Sequence, residues 1–145
     1  MILVWLILIP FIGGLLCWQA EYWGEKTPRW IALVTMLFVL VIALFLWVTG
    51  DFAMPGEGSR HWILEWLAPW IPRFGIEIHL AMDGLSLILV ALTGFLGALA
   101  VLCSWQEIAH RVGFFHLNLL FILGGVVGVF LALDLFLFFL FWEMM

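Results

Sequence analysis

Apolar residues in this chain come in unbroken blocks, without the two-residue alternation of a half-buried strand or the single stripe of a surface helix. The blocks cover about 1–19, 29–48, 83–105 and 114–133, and a last one begins at Asp134 and runs to Met145. At a helical rise of about 1.5 Å per residue, each of the first four is long enough to cross a hydrocarbon core about 30 Å thick. The pattern predicts an all-α, polytopic transmembrane helical bundle in a single membrane domain, 1–145, with four complete spans and a fifth, 134–145, that ends inside the membrane as a truncated helix.

The breaks between blocks carry their own signals. Pro10 and the pair Gly13-Gly14 interrupt the first span and predict a kink or the close approach of a neighbour. A polar loop from Ala20 to Thr27 follows, and Pro28 suits the first turn of the next helix. The second span has Thr35 as its only polar residue, which marks a plain packing or lipid-facing helix. Residues 49–78 form the one long connection and hold three of the chain's 5 prolines. Within it Trp62, Trp66 and Trp70 recur every fourth position, so the spacing predicts an interfacial aromatic helix, with His61 and Glu65 elsewhere on its circumference. A quinone- or substrate-stacking face is the alternative use of such a stripe. Asp83 is placed as the N-cap of the third span, in which Gly94, Gly97 and Ala98 allow a second helix to come close. After a polar loop with Glu107, His110 and Arg111, the fourth span carries a GxxxG pair, Gly124 and Gly128. It is already of spanning length, so the chain must reverse at Asp134, a turn and N-cap residue.

Composition supports the membrane reading. Of 145 residues, 67% are hydrophobic and 10% charged, against roughly 45–50% and 25% in soluble domains. The net charge of −5 without a basic run excludes nucleic acid as a main partner and leaves the lipid bilayer. Cys17 and Cys103 stand singly in apolar spans, as inert buried thiols do. The N-terminus lacks a positive leader segment and reads as a retained first helix. Lys26, Arg29 and Arg111 cluster in the two short loops, whereas Arg60 and Arg73 are diluted in the long connection. The positive-inside rule then puts the short loops in the cytoplasm and the N-terminus outside.

Few residues offer chemistry. His61, His79 and His110 lie in loops or at helix ends, and His116 is one turn inside the fourth span, so no two imidazoles face each other at one depth as a haem requires. His116 and Asn118 are placed to bond neighbouring helices or to line a wet entrance. Zinc or iron spacing, a phosphate loop and a nucleophile elbow are absent from the sequence. Glu143 is the main candidate. It lies nine residues beyond Asp134, about 13 Å along a helix and near mid-bilayer, where an ionisable side chain marks an ion or proton pathway. A neutral acid hydrogen-bonded to a carbonyl or hydroxyl is its structural alternative. Nine positions also turn Asp134 to the opposite side, so the two acids are not a pair; His116 and Asp134 stay as secondary candidates. Hydrocarbon favours the neutral form of an acid and an approaching cation favours the charged form, which makes such a group a switch. No Lys or Arg lies in the interior of the spans, Arg29 standing at the edge of the second, so its cation must come from elsewhere.

The segments WLILIPFIGG, PWIPRFGIEIHLAMDGLSL, GFFHLNLLFILGGVVGVFLALDLFLFF and the final FWEMM closely resemble the N-terminal part of the subunit M family of bacterial proton-translocating NADH:quinone oxidoreductase, respiratory complex I. The resemblance covers essentially the whole chain, as an N-terminal fragment of a longer subunit. It implies an antiporter-like membrane protein built from two inverted helical repeats and related to Mrp-type sodium/proton antiporter subunits. It implies further that Glu143, in the WEMM-type motif, is an essential proton-channel residue coupled to lysines on later helices, while Asp83 to Leu87 begin a helix. On this basis the chain is a multi-pass protein of the bacterial inner (plasma) membrane, and its partners are the other membrane subunits of complex I. It carries no redox cofactor itself; NADH, FMN, iron–sulfur clusters and quinone belong to partner subunits. A cation/proton antiporter subunit of the Mrp type and an inactive or structural membrane fragment are the alternatives.

Overall fold

The computed structural model describes residues 1–24, 26–50, 62–71 and 76–145. Glu25, Asp51, Arg60, His61 and Arg73 therefore lie outside the described residues. In chain order the elements are α1 (Ile2–Ala20), a 3-10 turn (Glu21–Trp23), α2 (Thr27–Thr49), β1 (Leu64–Ile71), β2 (Ile76–Met82), α3 (Gly84–Cys103), α4 (Val112–Leu131) and α5 (Leu135–Met144). The helices begin where the side chains dictate. Pro28 occupies the first turn of α2, where its missing N–H has no partner to lose. The Asp83 Oδ1 accepts the Ser86 N–H at 2.7 Å, capping α3. Arg111, in the left-handed region at φ 52°, turns the chain into α4.

Helices α1 to α4 are each long and apolar enough to cross a membrane. Helix α1 packs mainly on α4, and α2 on α3. Gly94 and Gly97 make the second contact possible: a Cβ on Gly94 would come within 3.1 Å of the Leu40 backbone, and one on Gly97 within 2.5 Å of the Met36 methyl. A buried core of Leu3, Leu6, Val39, Leu87, Val90, Val127 and Leu131 joins the helices, continued by Met36, Val101 and Leu120. Large apolar side chains also cover the outside, among them Val34 at 60% exposure and Phe45 at 61%. Their natural solvent is lipid, and the chain is a multi-pass membrane protein.

The long connection departs from the sequence expectation. Its described part contains an antiparallel hairpin, not an interfacial aromatic helix. The register runs from Leu64↔Met82 through Trp66↔Leu80 and Ala68↔Ile78 to Ile71↔Ile76, with an irregularity between Pro69 and Ile71. Leu64 and Trp66 share a face, because a strand repeats every two residues, while Trp70 falls at the irregularity and is exposed. That face packs inward through Leu64 and Trp66, while Glu65 and Leu67 are exposed. Trp62 lies before the strand, outside the ladder. Across the hairpin His79 Nε2 and Glu65 Oε1 are 2.7 Å apart. Strand β2 has a second neighbour: Leu80 bridges Ala132, and the Leu133 N–H donates to the His79 carbonyl at 3.0 Å. The hairpin thus holds the turn between α4 and α5.

Candidate functional site

Helix α5 is positioned from its first residue. At the end of α4 the backbone becomes extended at Ala132, Leu133 pairs with β2, and Asp134 caps the new helix. The Asp134 Oδ1 accepts the N–H groups of Phe136 at 2.8 Å and Leu137 at 3.2 Å, two of the donors a helix start leaves unpaired. Trp70 of β1 sets its indole edge-on to Phe136 at 5.7 Å. Asp134 thus caps α5, as its place in the sequence predicts.

One face of α5 is committed to α4. Leu137 and Phe141, one turn apart, are its buried residues. A Cβ on Gly128 would sit 2.5 Å from the Phe141 ring, and one on Gly125 would sit 3.2 Å from the Phe141 carbonyl. Gly124 faces the other way, toward Phe11 and Pro10 of α1. The GxxxG pair therefore does not serve one partner: Gly124 admits α1 and Gly128 admits α5.

Glu143 follows Phe141 by two positions, about 200° around the helix, so it points away from α4. It is exposed, on the same side as the exposed Phe136 and Phe139. Among the described residues it has neither a hydrogen bond nor an ion pair, and none of the described cations, Lys26, Arg29 and Arg111, is on α5. Glu143 is thus a lone carboxylate on an aromatic face of an apolar helix.

His116 is somewhere different from Glu143. It is 0% exposed in the interior near the start of α4. Its Nδ1 is 2.7 Å from the Val112 carbonyl, which can only accept, so the proton sits on Nδ1. Nε2 is buried with no hydrogen-bond partner among the described residues. Asn118 is exposed and donates from Nδ2 to the Phe114 carbonyl at 2.8 Å. Both residues thus bond their own helix one turn back, and among the described residues neither bonds a neighbouring helix, one of the two roles that the sequence suggests. His79 is engaged by Glu65, and His110 lies on the exposed α3–α4 loop. Cys17 is buried and donates to the Pro28 carbonyl at 3.3 Å, whereas Cys103 is exposed rather than buried, facing outward from α3. Among the described residues, no three His, Cys, Asp or Glu side chains gather as a metal-ligand set.

Two features escape the sequence reading. Arg29 counts there only toward topology, but its guanidinium turns inward and donates from Nη2 to the Ile108 carbonyl at 2.9 Å. The hairpin's hold on α5 is the other. The alternation of Ile76, Ile78, Leu80 and Met82 with Glu77 and His79 is the signal that identifies its second strand.

No family model matches the chain. Individual proteins do. NADH-quinone oxidoreductase subunit M of Pseudomonas aeruginosa is 66% identical over 148 aligned residues, covering 100% of this chain and 29% of that protein. The subunit M of Escherichia coli is 64% identical over 146 residues with the same coverage. That of Buchnera aphidicola from Schizaphis graminum is 42% identical over 144 residues, covering 99% of the chain and 29% of the relative. The chain thus spans about 29% of the length of these relatives. Among solved structures, a chain of the membrane-bound sulfane sulfur reductase, an archaeal respiratory membrane complex, superposes with a TM-score of 0.75 at 17% identity. The match covers 99% of this chain and 28% of that one, and at such low identity it establishes the shared fold alone. Identity this high across the whole chain places it in the NADH-quinone oxidoreductase subunit M family, of whose members it spans about 29%.

Proposed function

We propose that this chain belongs to the proton-translocating membrane domain of a bacterial NADH:quinone oxidoreductase in the inner membrane, with Glu143 as a proton-carrying carboxylate. The observation that carries this reading is a single acid on the outward, aromatic face of α5, in a chain 66% identical over its whole length to a subunit M. In a low-dielectric setting the acid is favoured as the neutral carboxylic acid. A cation brought near favours the carboxylate and a released proton, and its withdrawal favours uptake again. Movement of that cation is the coupling step. Asp134, the hairpin and Phe141 hold the helix, so that the group moves little while its charge changes. The remaining membrane subunits of the complex are the partners. NADH, FMN, the iron–sulfur clusters and quinone act in other subunits, with no redox step on this chain.

The test uses the complete subunit in the assembled complex, in inverted membrane vesicles. Glu143→Gln, which keeps the shape and removes the titration, should lower NADH-driven proton uptake at least tenfold, and Glu143→Asp should retain a measurable part. NADH oxidation by an artificial acceptor upstream of the membrane domain should be unchanged in both. Proton uptake by the Gln variant equal to that of the unaltered complex overturns the assignment.

A further inference from the structure

Helices α1 and α2 touch at Gly13, where a Cβ would lie 2.5 Å from Thr35 Oγ1, and a groove of about 630 Å³ runs past this contact along the outside of the bundle. Its lining reaches from Ile2 to Leu16 on α1 and from Val34 to Phe45 on α2, which makes it about 21 Å long at the helical rise. Ile2 and Phe45 mark the hairpin end, since their neighbours Leu3 and Leu46 share a buried cluster with Leu80 and Met82 of β2. Along its length the groove offers a ligand almost nothing polar. Among the described lining residues Thr35 carries the one hydroxyl, and its Oγ1 donates to the Ile31 carbonyl of its own helix at 2.7 Å. Trp5 stands exposed one turn from the hairpin end, with an indole N–H as the polar group at that mouth.

The way this molecule packs its helices decides what fits the groove. The pairs α1–α4, α2–α3 and α4–α5 each close through a glycine, Gly14, Gly94 and Gly128, whose missing side chain admits the neighbour. The groove's own glycine, Gly13, is already filled by Thr35, and its rim of Trp5, Ile12, Phe38 and Phe45 holds a further straight helix away. A flexible, slender apolar chain needs no small residue and can follow the gaps between these side chains. The volume falls in the range of clefts that bury most of a bound small molecule, about 300–1,000 Å³. The length exceeds the roughly 15 Å that one leaflet, half of the hydrocarbon core, gives a lipid tail. We propose that the groove holds one acyl tail of a phospholipid from the leaflet on the hairpin side, with the ester group at the Trp5 indole and the methyl end toward Gly13. Surrounding tails are as apolar as the groove, so the bound one is retained by close packing on both helices and by the Trp5 N–H. This inference stands on the shape and chemistry of the groove and does not rest on proton translocation by Glu143.

A density map of the complete protein in its native membrane complex, in nanodiscs of phosphatidylethanolamine and phosphatidylglycerol, is the direct test. Continuous unbranched density should run from Trp5 past Ile9 to Ile12 and join a headgroup on the hairpin side. A partner's helix in the groove, a regularly branched isoprenoid tail, a tail entering from the other leaflet, or a groove closed by its own side chains overturns the proposal. Retention in detergent gives an independent reading. Native mass spectrometry should count one phospholipid fewer per complex when Ile9→Phe and Ile42→Phe together fill the groove, with the subunit composition unchanged. Ile9→Val and Ile42→Val together, which leave the groove open, should keep the unaltered count. An unchanged count in the Phe variant, or the same loss in the Val variant, overturns the proposal. If the Phe variant does not assemble, the map of the unaltered complex decides.

Discussion

Two aspartates do the same work at the two helix starts nearest the hairpin. Asp134 offers Oδ1 to two backbone N–H groups of α5, and Asp83 offers Oδ1 to Ser86 N–H at the start of α3. For Asp83 the bond has a measurable consequence. The Ser86 N–H favours the charged form and holds the carboxyl below its ordinary value of 3.8, against a smaller opposing effect of burial. A carboxyl whose acidity is raised by folding contributes stability above the unfolded value, and that contribution is lost as pH falls through the folded value. Asp83→Ala should therefore cost about 1 kcal/mol at neutral pH. The gap between the two proteins should narrow in acid, below the ordinary value of 3.8, when thermal unfolding is followed against pH. A gap that stays constant into acid would mean that the charge of the cap contributes nothing. Both aspartates are legible as caps in the sequence because each stands directly before an apolar block. Arg29 and His116 are not legible in this way, since an inward turn of a guanidinium depends on the fold around it.

At the level of elements, the helices follow from runs of apolar residues, but their partners do not. The sequence shows that α4 must be approached closely at Gly124 and Gly128. Only the packing shows that Gly124 meets Phe11 and Pro10 while Gly128 meets Phe141. Phe141 lies over α4 where no side chain intervenes, and this seats the helix that carries Glu143. Gly128→Ala would drive a methyl to within 2.5 Å of the Phe141 ring. Overpacking of this kind costs about 1–3 kcal/mol, and the thermal midpoint of the assembled protein should fall accordingly. Adding Phe141→Ala should restore part of the loss, since it removes the ring that the methyl strikes. A double variant worse than the sum of the two singles would show that Gly128 acts on something other than Phe141. The hairpin is the element the sequence conceals. Three tryptophans four apart satisfy a helix and a strand equally, and in β1 the strand prevails because it can pair with the Ile76–Met82 alternation and bury Leu64 and Trp66.

The whole molecule has two unlike ends, and the path of the chain decides which residues share one. Four spanning helices alternate in direction, so the turn between α1 and α2 and the loop between α3 and α4 lie at one end. The hairpin and the α4–α5 turn lie at the other, tied together through Leu80↔Ala132 and the Leu133–His79 bond. Contacts within the first end agree: Trp30, at the start of α2, meets Trp105, just after α3, edge-on at 5.2 Å, and Arg29 reaches Ile108 in the second loop. Tyr22 and Trp23 stand exposed there beside Lys26, an arrangement suited to the boundary between hydrocarbon and headgroups. The balance of basic residues leads us to expect this end in the cytoplasm. In a background with Cys103 replaced by Ser, a cysteine introduced as Lys26→Cys should therefore react with a membrane-impermeant thiol reagent in inverted vesicles and be protected in right-side-out ones. Leu67→Cys, on the exposed face of β1, should show the reverse. Labelling of both positions from the same side would break the alternation of the four spans, and opposite labelling with the sides exchanged would keep the fold and refute only the orientation. Because Asp134 starts α5 at the hairpin end, Glu143 lies nine residues, about 13 Å, into the membrane from that surface. The labelling pattern thus also determines which side of the membrane is nearer to the carboxylate.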